Sequence, residues 1–236
     1  MNAFIDSIMS PIIGGSLSLP ASSFASPSQR HPEQILITRK ILQGGGDNGA
    51  WFLSLKGKRV RQLEVRKERP SSSLCRHEFL VAYTSDEDVY RFDRRIFRTP
   101  EVTAKDVWDG CPAEDSITPV TPKELQELEQ KSDVAELVHF RSTLPSLWHI
   151  ILYSVFLHEN PSTKEYSVRR YNCFVFARSI LCCVATQVAQ SIPVRAGNEG
   201  ALRAHYVKVA NFCLLSMVKN GYYSEFDPSK PRIHSF

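Results

Sequence analysis

His77-Glu-Phe-Leu-Val-Ala-Tyr-Thr-Ser-Asp-Glu-Asp-Val-Tyr-Arg-Phe-Asp93 is the stretch on which the fold turns. Two runs of aromatic and branched residues, 77–83 and 89–93, flank a polar turn at Ser85-Asp86-Glu87, the pattern of an antiparallel hairpin. Pairing His77 with Asp93 sets Phe79 opposite Arg91 and Val81 opposite Val89, and closes a three-residue loop at 84–86. In that register His77 and Asp93 are cross-strand neighbours on one face. A slip of one residue would send them to opposite faces.

Upstream, Ile35–Leu42 alternates loosely until Gly44–Gly49 breaks it as a turn, since that segment lacks the Gly-Lys-Ser/Thr ending of a phosphate loop. Trp51–Leu55 and Val60–Val65, joined at Lys56-Gly57-Lys58, read as another hairpin. Downstream, 99–120 holds Pro100, Gly110, Pro112 and Pro119 and reads as a linker. From residue 121 the apolar period becomes helical. Thr121-Pro122-Lys123-Glu124 is a capping box with Pro at the first helical position, opening a helix with an apolar stripe of Leu125, Leu128, Val134, Leu137 and Val138. Further helices are expected at Leu147–His158, at about Asn172–Gln190, and at about Glu199–Lys219 before Asn220-Gly221. Strands first and helices afterwards predict an α+β fold: antiparallel hairpins, as a small sheet or barrel, packed on about four C-terminal helices. The expected organisation is a disordered leader at 1–34 and a single domain at 35–236, with its strand part at 35–98, the linker at 99–120 and its helical part at 121–222.

The chain has 236 residues, of which 42% are hydrophobic and 23% charged. These values exclude a collagen-like, wholly disordered or disulfide-scaffold chain. A net charge of +4 is too mild to imply a nucleic-acid partner. The leader is a poor secretory signal, because the only charge before its apolar piece Ile8–Leu19 is Asp6. No uninterrupted apolar run reaches the roughly 18–20 residues of a membrane helix. Six cysteines (Cys75, Cys111, Cys173, Cys182, Cys183, Cys213) lack the C-x-x-C spacing of a zinc site and do not resemble a secreted framework. A cytoplasmic, reducing location without metal or cofactor is expected.

Chemistry concentrates at Arg170-Tyr-Asn-Cys-Phe-Val-Phe-Ala-Arg-Ser-Ile-Leu181. Asn172 is a good N-cap, which places Cys173 at the first helical position, among unpaired N–H groups at the positive end of the helix dipole. That setting favours thiolate over thiol, and Arg169 and Arg170 push the same way. A thiol nucleophile needs a base and a group to orient it. His77 is the best-placed imidazole, with Asp93 as its orienting carboxylate. The Cys173 N–H and Asn172 are the candidate oxyanion donors. Plainer roles compete with each of these. Cys173 could fill core like Cys182 and Cys183, and His77 could sit at the surface. Asp93, in Arg91-Phe-Asp-Arg-Arg95, could pair with a neighbouring arginine. His149 and His158 read as packing or capping groups. The basic stretches Lys56–Arg61 and Arg91–Arg98 read as a solvated strand face or a small patch for an anionic partner.

His77-Glu-Phe-Leu-Val-Ala-Tyr followed by Val89-Tyr-Arg-Phe-Asp resembles the His-strand hairpin of the circularly permuted papain-like thiol enzymes, in particular the lecithin retinol acyltransferase-like group. Asn172-Cys173-Phe174 is similar to the Asn-Cys that begins the nucleophile helix there. Permuted peptidases that remove ubiquitin-like tags share this His-before-Cys order. The chain also resembles fungal proteins carrying the same Asn-Cys helix, for which no particular substrate is implied. The likeness covers roughly residues 50–98 and 165–190; the leader, the pair of helices at 121–158 and the last helix look like additions. It implies a permuted papain-like fold and a hydrolase or acyltransferase with Cys173 as nucleophile, His77 as base and Asp93 as orienter. The implied partner is a peptide, ubiquitin-like or lipid/acyl substrate. The rival reading is an inactive fold of the same kind, kept as a binding or scaffold module.

Overall fold

The computed structural model describes residues 34–38, 49–69, 76–97, 99, 101–141, 143–161, 163–168 and 171–187. Almost all of the expected leader, the segment 44–48, the expected last helix, Arg169, Arg170, Cys75 and Cys213 lie outside the described residues. The strands are β1 (Ile35–Leu36), β2 (Val60–Glu68), β3 (Glu78–Thr84), β4 (Val89–Ile96), β5 (Cys111–Val120), β6 (Ser132–His139) and β7 (Glu165–Tyr166). They form one antiparallel sheet in the order β1-β5-β4-β3-β2-β6, with β7 added to β5. The helices are α1 (Gly49–Ser54), α2 (Ala104–Asp109), α3 (Pro122–Lys131), α4 (Leu147–Glu159) and α5 (Cys173–Gln187). The class is α+β.

The central hairpin forms with a shifted register. Leu80 lies opposite Phe92, Val81 opposite Arg91, Ala82 opposite Tyr90 and Tyr83 opposite Val89. The Thr84 N–H donates to the Asp88 carbonyl at 2.9 Å, so the three-residue loop is 85–87, with Glu87 at φ 71°. The expected loop lay one residue earlier. Moving the tip by one residue shifts every pair by two, and a shift of two preserves which face each side chain occupies. Asp93 therefore lies diagonal to His77 rather than directly across from it, still on the same face.

Three other expectations are corrected. Residues 99–120 are no linker: they hold α2 and the ten-residue strand β5, which pairs with β4 along eight residues. The prolines hid this strand, but Pro119 lies beyond the reach of the two-residue β1, where a missing N–H costs no ladder bond to that neighbour. The helix from Thr121 stops at Lys131, and Val134, Leu137 and Val138 belong to β6. A bulge between β2 and β6 near Ala135 changes the side-chain parity, so the strand imitates a helical spacing. Trp51–Leu55 is a helical turn rather than a strand; Phe52 and Leu55, three apart, are both buried.

The two faces of the sheet are covered differently. α4, apolar on every side, and α5 pack on the inner face against Leu63, Val65, Leu80, Ala82, Phe92 and Ile117. A smaller cluster of Phe79, Val81 and Val89 lies beneath Leu125 and Leu128 of α3 on the outer face. Ion pairs lock α5 to the sheet. Arg178 donates from Nε to Glu78 of β3 at 3.1 Å and from Nη1 to Glu136 of β6. Since Glu78 adjoins His77 in the chain, this clamp ties the start of α5 to the start of β3.

Candidate active site

Cys173 opens α5, and the sequence dictates how. Asn172 accepts the Val175 N–H on its Oδ1 at 3.1 Å, the side-chain bond of an N-cap. Its Nδ2 donates to the Val168 carbonyl at 3.0 Å. The expected role of Asn172 as an oxyanion donor thus meets a side chain already committed at both ends to capping the helix. The backbone N–H of Cys173, at the helix start, has no helical carbonyl to bond.

His77 lies at the mouth of β3, with Nε2 2.5 Å from Asp93 Oδ1 on β4. Its ring stacks on Phe79, with centroids 6.1 Å apart. Cys173 is near enough for its sulfur and the His77 ring to act on one another, and with Nε2 taken by Asp93 the ring has Nδ1 left for that exchange. The backbone N–H of Glu78 is a further group favouring negative charge on the sulfur. All three residues predicted from the sequence come together: Asp93 is bonded to His77, and His77 and Cys173 act on each other's charge.

Its electrostatics follow from burial and charge. Burial opposes a charged His77, but the negative Asp93 and the Cys173 sulfur outweigh it and push its pKa up to about 10. Burial likewise opposes ionising Cys173, yet the charge and hydrogen bond of His77, helped by the Glu78 N–H, bring the thiol below its ordinary value. The arrangement favours thiolate beside imidazolium. Burial also works against the Asp93 charge, while His77, Arg95 and Arg91 hold its carboxyl well below the usual range.

Asp93 thus makes both of the contacts that the sequence offered it, to His77 and to neighbouring arginines. Its Oδ1 serves His77, while its Oδ2 accepts from Arg91 Nη2 at 2.7 Å and from Arg95 Nε at 3.1 Å. The arginines alternate with Asp93 along β4, which places all three on one face. The Glu78 N–H and the Arg178 clamp were not foreseen, because neither carries a sequence signal. The other described cysteines differ in kind: Cys182 and Cys183 are buried in α5, and Cys111 has its thiol pushed up to about 11 by burial. His158 does more than cap α4, since its Nδ1 lies 3.0 Å from Asp115.

Among the described residues no group of three or more His, Cys, Asp or Glu is placed to hold a metal ion. No described helix is long and apolar enough to cross a membrane. Comparison of the chain with models of protein families, with curated proteins and with solved structures finds no match.

Proposed function

We propose that the chain is a thiol hydrolase or acyltransferase of permuted papain-like architecture, acting on an amide, isopeptide or acyl-ester bond. The observation that carries this reading is the placement of His77 between Asp93 and a helix-opening Cys173. In the first half-reaction the Cys173 thiolate attacks the carbonyl carbon, and the carbonyl π electrons move to oxygen. The Cys173 N–H and the positive helix end stabilise that oxyanion. The tetrahedral species collapses with loss of the amine or alcohol, which takes the proton from His77 Nδ1 and leaves an acyl-thioester. In the second half, water or an acceptor alcohol or amine attacks the thioester and gives its proton to the now neutral His77. Release of the acid or new acyl product restores thiolate and imidazolium. Asp93 holds the ring so that Nδ1 faces sulfur throughout.

A binding module built on the same architecture is the second reading. The 8% exposure of Cys173 favours it, since a nucleophile must be reached by substrate. Alkylation by iodoacetamide, followed site by site across pH by peptide mass spectrometry, separates the two. The thiol-enzyme reading expects Cys173 to react first among the native cysteines, with an apparent pKa below the ordinary ~8.5 and with that advantage lost in His77→Ala. Protection of Cys173 until the protein unfolds would make the thiol structural, and the enzyme reading would give way to the binding module.

A further inference from the structure

Asp93 also borders a cleft of about 260 Å³. Its floor is built by Arg91, Asp93 and Arg95 of β4 with Ser116 and Thr118 of β5, and Lys131 of α3 stands at its side. The register puts Asp93 opposite Ser116 and Arg91 opposite Thr118, so the charged and hydroxyl residues share one sheet face.

Formal charge does not identify the occupant, because Glu124 and Glu127 also line the cleft. Hydrogen-bonding capacity does. The acceptors are already engaged. Asp93 serves His77 and both arginines, Glu124 accepts the Thr121 N–H and hydroxyl at 2.8 Å each, and Glu127 pairs with Lys131 at 3.4 Å. The donors are in surplus. Arg95 reaches Asp93 through Nε, and its two terminal nitrogens meet no acceptor among the described residues. Arg91 spends Nη2 on Asp93, while its buried Nε has no partner. A guanidinium with its terminal pair open matches the two oxygens of a carboxylate or phosphate. Arg95 is also close enough to Cys173 to interact with its charge, which links the cleft to the thiol.

We propose that this cleft is the subsite for an anionic group of the substrate, a carboxylate or phosphate, gripped by Arg95 and Arg91 with Lys131 beside them. Calling it a substrate subsite rests on the thiol-enzyme reading; the anion site itself does not.

The test begins with Cys173→Ser protein, in which binding is separated from chemistry. Glutarate, inorganic phosphate and neutral glutaramide are titrated in turn by calorimetry. At least one anion binds and glutaramide does not, and the stronger anion distinguishes carboxylate from phosphate. Adding Arg95→Gln weakens binding at least ~10-fold, the value of a charge-assisted contact, and adding Lys131→Gln weakens it about 2-fold, as for an exposed charge. Arg95→Lys, which keeps the charge and loses the fork, falls between wild type and Arg95→Gln. Circular dichroism checks that each variant retains its fold, and Arg91→Gln replaces any that does not. Absence of anion binding, or binding equal in folded Arg95→Gln protein, overturns the proposal. On the wild-type chain, 4-nitrophenyl acetate and the mono-4-nitrophenyl ester of glutarate divide the two claims. Hydrolysis that prefers the glutaryl ester, with the preference lost in Arg95→Gln, supports the subsite. Turnover without that preference refutes the subsite alone. No turnover despite anion binding refutes the thiol enzyme and leaves the anion site standing.

Discussion

Among the described residues the sheet carries two His–Asp–Arg groups built around buried carboxylates, one on each side of adjacent strands. On the outer face His77, Asp93, Arg91 and Arg95 meet at the start of α5. On the inner face His158, Asp115 and Arg94 meet at the end of α4. The residue types are the same and the surroundings are opposite. Asp115 receives both Nε and Nη2 of Arg94, at 2.7 and 2.6 Å, while the remaining Arg94 nitrogen reaches the Thr163 carbonyl at 2.7 Å. Every bond there joins one piece of the fold to another, and Arg94 is 1% exposed. At Asp93 the His77 ring acts on a thiol beside a helix N-terminus, and among the described residues Arg95 keeps nitrogens to spare. One group is a closed structural knot; the other ends at the Cys173 sulfur and, among the described residues, at open donors.

Breaking the knot has the largest expected effect on stability. Arg94→Leu leaves Asp115 buried without its full counter-charge, and urea denaturation will show a loss of ~3–5 kcal/mol. Arg91→Gln, which leaves Asp93 with His77 and Arg95, costs less than half as much. A loss from Arg91→Gln equal to that from Arg94→Leu would erase the distinction between the groups.

Carboxylate neutralisation sharpens the contrast in reactivity. Asp93→Asn lowers the rate of Cys173 alkylation at neutral pH at least ~10-fold, because the ring loses both its orientation and its stabilising charge. Asp115→Asn lowers stability and leaves the Cys173 rate within about 2-fold in protein that remains folded, since Asp115 does not touch His77.

Proton linkage at His77 is cleanest in Cys173→Ser protein, where the thiol no longer contributes. Asp93 pulls the folded pKa of His77 upward against burial, and the expected outcome is a folded value still above the unfolded value of about 6.5. The His77–Asp93 contribution to stability is therefore fully present below about pH 6.5 and is lost as pH rises through the raised folded value. Unfolding free energies of Cys173→Ser and Cys173→Ser/His77→Gln will differ by ~1 kcal/mol or more at acid pH, and the gap will narrow above neutrality. A gap that widened with pH would place a neutral imidazole beside Asp93. The smallest effect lies at the hairpin tip. Glu87 occupies a left-handed conformation at φ 71°, so Glu87→Gly will add ~0.5–1 kcal/mol.

The parts of this contrast differed in how plainly the sequence announced them. The outer group was legible because a two-residue periodicity carried His77 and Asp93 onto one face, and because Asn172 announced the helix start before Cys173. Even the misplaced hairpin tip did no harm, since the error of register was an even number of residues. The inner group was not legible. It joins β4 to β5, and Pro112 and Pro119 made that strand read as a linker. Its clamp closes on the carbonyls of Leu157 and Thr163, which no side-chain pattern reveals. The bulged β6 imitated a helix because Val134, Leu137 and Val138 repeat at three and four. The open nitrogens of Arg95 depend on which of its donors Asp93 takes, a matter of geometry.

The state of the His77–Cys173 pair is the most direct test of the account. Nitrogen-15 NMR of labelled imidazoles, with His77 assigned through its variant, reads that state at pH 7.5 in wild type and in Cys173→Ser. The account predicts two protonated nitrogens on His77 in wild type, persisting as pH rises toward about 10, and an earlier loss of that form in Cys173→Ser. A neutral His77 at pH 7.5, titrating identically in both proteins, would show that the thiol and the imidazole do not share charge and would contradict the thiolate–imidazolium site.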